Sequence, residues 1–159
     1  MLVLLLSFSI ALIDQLSKYA VRSCFMLGQQ ITIIPGFFDL RFIQNTGAAW
    51  GILSGLNHWL ILFSVLMLGI IVFFRHHFFT RDPVSRIALG LIVGGITGNL
   101  LDRIRLSYVV DFLDFYVGRR HFPAFNVADA AICIGVGLYV IFHVIHEPDK
   151  QESAAAGAG

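Results

Sequence analysis

The sequence predicts an α-helical integral membrane protein with four transmembrane helices and a small β-sheet lying on the membrane. Its 159 residues are 57% hydrophobic and only 13% charged, whereas soluble domains carry about 25% charged residues. The apolar residues are concentrated in four blocks, and the segments between these blocks contain short β-prone runs. The lipid bilayer is therefore the expected solvent for most of the chain.

Four spans are expected, at about residues 1–20, 58–74, 86–102 and 126–145. A helix needs about 20 residues to cross a hydrocarbon core about 30 Å thick, so the second and third spans must include neighbouring polar residues. The first block could instead be a cleavable signal peptide, but it lacks a basic amino-terminal region and contains Asp14. We expect one membrane-embedded domain over residues 1–150 and a disordered tail, rich in Ala and Gly, over residues 151–159.

Two segments between the spans have the pattern of β-strands. The first contains Ile31–Ile34 and Phe37–Ile43 with a Pro35–Gly36 turn between them, and the second is Tyr108–Val117. Both are rich in β-branched and aromatic residues and are bounded by turn residues. We therefore predict a small sheet at the membrane surface.

Four crossings would place both chain termini on one side of the membrane and most polar residues on the other. The ends of spans one and three and the starts of spans two and four then share a face with the segments at 21–58 and 99–129. This face carries seven Lys or Arg residues against four on the other side, so the positive-inside rule points it to the cytoplasm. The loop at 75–86 is more densely positive, and the charge rule alone leaves the orientation open.

Several ionisable residues are predicted at the ends of the spans, where each needs a partner or a function. Asp14 and Lys18 are four residues apart on one helix, and Asp102 precedes Arg103, so both pairs could be local ion pairs. Asn99 lies in a glycine-rich run that permits close helix packing, and its amide could bridge two helices. A carboxylate that is paired with a cation stays ionised, which makes Asp14 and Asp102 less suitable as general acids.

Asp111 and Asp129 have a different sequence context. Asp111 lies among β-branched and aromatic residues, which desolvate a carboxylate and raise its pKa; the simpler alternative is a solvated residue at a strand edge. Asp114 would point to the other side of the same strand. Asp129 follows Asn126 by three positions, the spacing of a capping arrangement at the start of a helix. If Asp111 and Asp129 meet, they share a proton and can act together as general acid and base.

Other chemistries have weaker support in the sequence. No HExxH motif occurs and the histidines lack the spacing of a zinc site, so no metal and no cofactor are expected. Ser17 and Ser54 have no evident base or oxyanion site, and a net charge of +1 does not favour nucleic acid as a partner. The alternatives to a protease are a proton-coupled carrier with a relay of Asp14, Asp102 and Asp129, and a structural membrane adaptor.

Five short motifs follow one another along residues 14–129. They are Asp14-Gln-Leu-Ser-Lys18, Gln44-Asn-Thr-Gly-Ala-Ala49, Gly94-Gly-Ile-Thr-Gly-Asn-Leu-Leu-Asp-Arg103, Val109-Val-Asp-Phe112 and Phe122-Pro-Ala-Phe-Asn-Val-Ala-Asp129. In this order they resemble the motifs of bacterial lipoprotein signal peptidase, also called signal peptidase II. Trp50, Ser107 and Ala130 depart from the family pattern, which usually has Phe, Gly and Ser at these places.

The resemblance implies a membrane aspartyl endopeptidase that removes the signal peptide of a diacylglyceryl-modified prolipoprotein, cleaving just before the lipidated cysteine. By the same resemblance Asp111 and Asp129 are the catalytic pair. The residues that bind substrate or support this pair are Asn45, Gly47, Asn99, Arg103, Asn126, Asp14 and Lys18.

The resemblance also implies a location and partners. The enzyme would be a multi-pass protein of the bacterial cytoplasmic (inner) membrane, with its active site and small extracytoplasmic sheet on the periplasmic or extracellular side. The expected partners are prolipoproteins, membrane lipid and globomycin-type cyclic peptide inhibitors, and the chain is expected to be a monomer. Gly47 and Gly51 flank Trp50, so this loop is expected to bend over the site as a lid.

Overall fold

Four helices occupy the four apolar blocks of the sequence. The computed structural model describes residues 1–47, 52–74 and 82–146. The helices are α1 over Leu2–Cys24, α2 over Asn57–Phe73, α3 over Pro83–Leu106 and α4 over Val127–His146. By length and composition α1, α3 and α4 can cross a membrane, and α2 has 17 residues, about 26 Å of helix. The predicted α-helical membrane fold is confirmed.

The helix ends differ from the predicted spans by a few residues. The largest extension is that of α3, which continues at both ends through the polar residues that the short apolar block was expected to recruit. The predicted lid at Trp50 and Gly51 and the predicted tail at 151–159 lie outside the described residues.

Helix α3 lies at the centre of the bundle and packs against the other three helices. On its α1-facing side Gly90, Gly94 and Gly98 recur every fourth residue, and a Cβ at Gly94 would lie 2.8 Å from the carbonyl oxygen of Ser7. The Ser7 hydroxyl also donates to the Gly90 carbonyl at 3.1 Å. Small residues therefore let the two backbones approach closely, which brings the polar ends of α1 and α3 together.

Both ends of α3 are defined by local interactions. The Asp82 carboxylate accepts hydrogen bonds from the amides of Val84 at 2.9 Å and Ser85 at 2.7 Å, and Pro83 occupies the first turn. The helix ends at Ser107, whose φ of 66° lies in the left-handed region. Glycine adopts this conformation more easily than serine, which explains why the resemblance leads one to expect glycine here.

Large apolar side chains cover the outer surface of the bundle. On α1, Leu4 is 71% exposed and Phe8 is 68% exposed, while a stripe that includes Val3, Ala11 and Val21 is buried against the other elements. Exposed apolar surface of this extent is unfavourable in water and is suited to lipid.

A four-stranded antiparallel sheet lies at the end of the bundle where α1 and α3 finish. Its strands, in spatial order, are β1 (Gln30–Ile34), β2 (Phe38–Asn45), β3 (Val109–Val117) and β4 (Arg120–His121). Both predicted strand segments are therefore confirmed. Gly36 adopts a φ of 80° in the turn between β1 and β2, a conformation that favours glycine.

The sheet is attached to the helices by an apolar core and a short connection. Val21 of α1 packs with Phe42 of β2 and with Val110 and Phe112 of β3. Two residues separate the end of α3 from the start of β3. This connection holds Asp111 beside the helix ends, so that polar residues scattered from position 14 to position 129 meet in one place, as predicted.

Candidate active site

A buried lysine joins α1 to α3. Lys18 Nζ lies 2.8 Å from Asp14 Oδ2 and 3.0 Å from Asp102 Oδ2, and it donates to Asn99 Oδ1 at 2.9 Å. Lys18 and Asp14 are 2% and 0% exposed. We call Lys18, Asp14 and Asp102 the lysine cluster; its two carboxylates share one cation between two helices.

The contacts of the lysine cluster show that the predicted partner of Asp102 was wrong and that Asp14 has a further partner besides the predicted one. Asp102 contacts Lys18 of α1 and is not ion-paired with its sequence neighbour Arg103 among the described residues, because adjacent helical residues point in different directions. Asp14 does pair with Lys18 as predicted, and its second carboxylate oxygen accepts from the Ala128 amide at 2.9 Å. Asp14 thus helps to cap α4, a contact that helical spacing within α1 could not predict.

Gln15 is a residue of this region that the sequence reasoning did not assign to the site. Its Nε2 donates to Asp102 Oδ1 at 2.9 Å and to the Gly98 carbonyl at 3.1 Å. The available signal was an amide side chain inside an apolar block, which is expected to hydrogen-bond to a neighbouring helix.

Asp129 and Asn126 form a reciprocal cap at the start of α4. The Asp129 amide donates to Asn126 Oδ1 at 3.0 Å, and the Asn126 amide donates to Asp129 Oδ2 at 3.3 Å. The other oxygen of Asp129 accepts from Asn99 Nδ2 at 2.7 Å. The capping interpretation is therefore correct, and it coexists with a position beside the lysine cluster.

Asp111 is held by two neutral amides. Asn45 Nδ2 donates to Asp111 Oδ2 at 2.9 Å, and Asn126 Nδ2 donates to Asp111 Oδ1 at 2.8 Å. Asn126 therefore contacts both aspartates, Asp129 through its backbone and Asp111 through its side chain. Asp111 is only 2% exposed, which contradicts the alternative of a solvated residue at a strand edge.

Burial and, to a smaller extent, the nearby negative charge of Asp129 raise the pKa of Asp111 from 3.8 to about 7. The hydrogen bonds from Asn45 and Asn126 favour the ionised form but are smaller contributions. The prediction that an apolar environment would raise this pKa is confirmed. A carboxyl group with such a pKa can both hold and release a proton near neutral pH.

Asp111 and Asp129 line one cavity of about 780 Å³. Asn45, Asn99 and Arg103 also lie on its wall, and most of the remaining lining is apolar. The apolar residues come from three helices and the segment after β4, and they include Leu60, Phe63, Met67, Ile92, Ile96, Phe122 and Val136. The two carboxylates thus line one mostly apolar cavity at the helix ends.

The remaining predicted residues surround this pair. Arg103 Nη2 donates to the carbonyl oxygen of Gly47 at 3.4 Å, and the Gly47 amide donates to Asn45 Oδ1 at 3.0 Å. The Arg103 carbonyl accepts from Asn57 Nδ2 at 3.2 Å, which attaches the start of α2 to the site. Asn57 was also missed in the sequence, where it resembles an ordinary polar residue at a helix start.

The other acid and hydroxyl residues considered from the sequence have separate contacts. Asp114 is paired with His121 at 2.9 Å and is not held by the amides that bind Asp111. Ser17 donates to the Asp14 carbonyl at 2.8 Å, and Ser54 exchanges a 2.6 Å hydrogen bond with Thr46. Neither contact places a base beside a serine hydroxyl.

A helical bundle with exposed apolar surfaces suited to lipid, and with the buried Asp111 and the half-buried Asp129 on one cavity, defines a membrane-embedded enzyme. Sequence comparison supports a particular family. A family model described as Signal peptidase (SPase) II matches residues 6–145. The chain belongs to the signal peptidase II family, proteases that cleave signal peptides from lipoprotein precursors. This membership rejects the carrier and adaptor alternatives.

Individual relatives agree over nearly the whole chain. The lipoprotein signal peptidase of Symbiobacterium thermophilum is 40% identical over 147 residues, which are 92% of this chain and 97% of the relative. That of Syntrophus aciditrophicus is 42% identical, covering 89% of this chain and 91% of the relative. A bacterial membrane enzyme solved by the in meso method at 2.3 Å resolution has a TM-score of 0.83 at 32% identity, covering 93% of this chain and 90% of that one.

Proposed function

We propose that the chain cleaves diacylglyceryl-modified prolipoproteins just before the lipidated cysteine, with Asp111 and Asp129 as the catalytic pair. The observation that carries this proposal is their common position on one cavity, where Asn126 contacts both carboxylates. No described cation lies within ion-pair distance of either one, in contrast to Asp14 and Asp102. One shared proton is then available for chemistry.

The raised pKa of Asp111 assigns the starting roles. Asp111 carries the proton below about pH 7 and donates it to the carbonyl oxygen of the scissile amide. Asp129, at the positive end of the α4 dipole, accepts a proton from a water molecule, whose oxygen forms a bond to the carbonyl carbon. The proton taken up by Asp129 then passes to the cysteine nitrogen as the carbon–nitrogen bond breaks, and Asp111 recovers its proton from the second hydroxyl group.

The supporting residues keep these two carboxyl groups in place. Asn45, Asn99 and Asn126 supply neutral donors to them, at 2.7 to 2.9 Å from the side chains. The Arg103 guanidinium donates a hydrogen bond to the Gly47 carbonyl oxygen, and it can also face a developing oxyanion in the cavity. Asp14 and Lys18 act indirectly, by fixing the ends of α1, α3 and α4.

The apolar part of the cavity suits the lipid and apolar segment of such a substrate. A diacylglyceryl-modified precursor diffuses in the bilayer, and its scissile bond lies near the headgroup level, where the helix ends place the carboxylates. We place this end on the periplasmic or extracellular side of the cytoplasmic membrane, since Lys18 and Arg103 are engaged with protein groups and count less as free positive charges. Globomycin-type cyclic peptides would compete for the same cavity. One chain supplies all the side chains of the proposed site, so the enzyme can act as a monomer.

The test is cleavage of a diacylglyceryl-modified precursor and of its unlipidated twin by purified enzyme. Asp111→Asn and Asp129→Asn should each lower kcat by about 10² to 10⁴-fold in protein that remains folded. Asp39→Asn is the matched control, because Asp39 is 3% exposed on β2 and contacts Tyr116 instead of the cavity. Near wild-type cleavage by either site variant would reject the assigned pair, and equal cleavage of the unlipidated twin would reject the substrate class.

A further inference from the structure

A second, more polar cleft opens on the sheet side of the catalytic pair. Its volume is about 400 Å³, and its wall includes Arg41, Gln44 and Thr46 of the β2 region with Asp114 and His121 of β3 and β4. The cleft shares Asn45, Asp111 and the segment at 122–124 with the apolar cavity. Asp111 therefore lies at the junction of an apolar cavity and a polar cleft.

A bound precursor likewise has an apolar part and a polar part. The segment before the scissile bond is the apolar signal peptide, and the segment after the lipidated cysteine is the start of a water-soluble protein. If the scissile bond lies at Asp111 and the apolar segment and lipid occupy the apolar cavity, the polypeptide after the cysteine must leave through the polar side. The cleft is the opening that adjoins the same aspartate.

The cleft wall is held in place by its own contacts. His121 Nδ1 and Asp114 Oδ1 are 2.9 Å apart, and the His121 ring stacks on Tyr116 with centroids 4.9 Å apart. A preorganised wall lowers the entropic cost of binding a flexible peptide.

Arg41 is incompletely satisfied within the fold. Its ion-pair partner among the described residues is Asp114, at 3.9 Å. The Arg41 side chain is 39% exposed, and its Nε is buried without a hydrogen-bond acceptor among the described residues. Asp114 itself is buried. Arg41 and Asp114 balance each other's charge, so the cleft offers both donors and acceptors to a peptide without a strong preference for either sign of charge.

We propose that this cleft binds the first residues of the mature lipoprotein, those that follow the lipidated cysteine, and that Arg41 and His121 are specificity-determining residues for them. This inference rests on the proposed function. The bound segment is extended and polar, and its backbone and short side chains hydrogen-bond to the cleft wall. Loss of Arg41 removes a positive charge beside Asp114, which keeps its contact with His121, and the more negative cleft then selects a positively charged residue.

The experiment compares two substrates that share the signal peptide and the lipid. One continues for several residues after the cysteine, and the other ends at the cysteine as an amide. Arg41→Gln and His121→Gln should lower the ratio of kcat/KM for the long substrate to that for the short one by about fivefold or more. Arg120→Gln, an exposed neighbour on β4 outside the cleft wall, should leave this ratio unchanged.

A charge series sharpens the test. With Lys or Glu placed directly after the cysteine, Arg41→Gln should shift the relative kcat/KM toward the Lys substrate by about fivefold compared with wild type. An unchanged length ratio and an unchanged charge preference would overturn the inference, as would equal losses on long and short substrates, which indicate a purely structural role. Failure of the proposed function is distinguishable, because wild-type enzyme would then not cleave even the short substrate, or Asp111→Asn would cleave it normally.

Discussion

Two groups of carboxylates, all buried except the half-buried Asp129, lie side by side at the helix ends, and they differ in what stabilises them. Asp14 and Asp102 share the Lys18 cation at 2.8 and 3.0 Å. Asp111 and Asp129 receive hydrogen bonds from the neutral amides of asparagine side chains. Asn99 joins the groups, since its Oδ1 accepts from Lys18 and its Nδ2 donates to Asp129.

This difference suits the two groups to different roles: Asp14 and Asp102 stabilise the helix packing, whereas Asp111 and Asp129 are the proposed groups for proton transfer. The Lys18 cation holds the Asp14 and Asp102 carboxylates between α1 and α3, so this group fixes the packing of the two helices. A carboxyl group that is buried with neutral donors keeps its affinity for a proton, as the pKa of about 7 for Asp111 indicates. A neutral amide can position such a group without fixing its charge, which explains the use of asparagine around the proposed catalytic pair.

The largest expected effect comes from removing the cation of the lysine cluster. Lys18→Met leaves two buried carboxylates without their partner, which typically costs about 3–5 kcal/mol of stability. We expect a large fall in the thermal midpoint in detergent, with little folded protein recovered. Arg22→Met, one turn further along α1 at an exposed position, is the control and should change the midpoint only slightly.

A combined variant makes this first prediction more specific. Adding Asp14→Asn and Asp102→Asn to Lys18→Met removes all three charges together and should recover part of the lost stability, because no uncompensated charge is then buried. If the triple variant is less stable than Lys18→Met alone, the ion pairs themselves, and not the unpaired acids, determine the stability of these helix ends.

The sequence predicted the features that depend on local contacts and missed those that depend on contacts between residues far apart in the chain. Apolar blocks and β-prone runs predicted the helices and the sheet, since these depend on local pattern, and the i, i+3 spacing predicted the Asn126–Asp129 cap. The partner of Asp102 was predicted wrongly because Lys18 is 84 positions away and reaches it only through glycine-mediated packing of α1 on α3. Gln15 was missed for the same reason.

Family resemblance, and not spacing, connected Asp111 with Asp129 at the sequence level. The physical link is the short connection from α3 to β3 together with Asn126, which donates to Asp111 and also to the backbone carbonyl of Val110 at 3.3 Å. Such a contact depends on the register of a strand against a helix start, which no local periodicity specifies.

The second prediction concerns the pH dependence of stability. Burial raises the pKa of Asp111 to about 7, so between about pH 4 and pH 7 the folded protein binds more protons at this site than the unfolded chain. Its contribution to stability is complete below pH 4 and is lost as the pH rises through 7, on the order of 4 kcal/mol in total. Asp111→Asn should therefore show a smaller fall in thermal midpoint over this range than wild type.

Asp39→Asn serves as the control for this measurement, since it also removes a buried carboxylate from the sheet. It should retain the wild-type decrease in thermal midpoint with rising pH. Parallel curves for wild type and Asp111→Asn would mean that Asp111 is ionised throughout the range, and the assignment of Asp111 as the initial proton donor would then be wrong.

The smallest expected effect lies at the residue that joins the two groups. Asn99→Ala removes the donor to Asp129 and one acceptor of Lys18, but Lys18 keeps both of its carboxylates. We expect kcat to fall about 10-fold, equivalent to about 1.4 kcal/mol, with a smaller change in thermal midpoint than Lys18→Met causes. Thr97→Ala, which removes a hydroxyl bonded within α3 to the Val93 carbonyl, should change kcat less than twofold. Equal kcat values for the two variants would show that the lysine cluster and the proposed catalytic pair function independently, because the Asn99 amide would then not be needed to position Asp129 for catalysis.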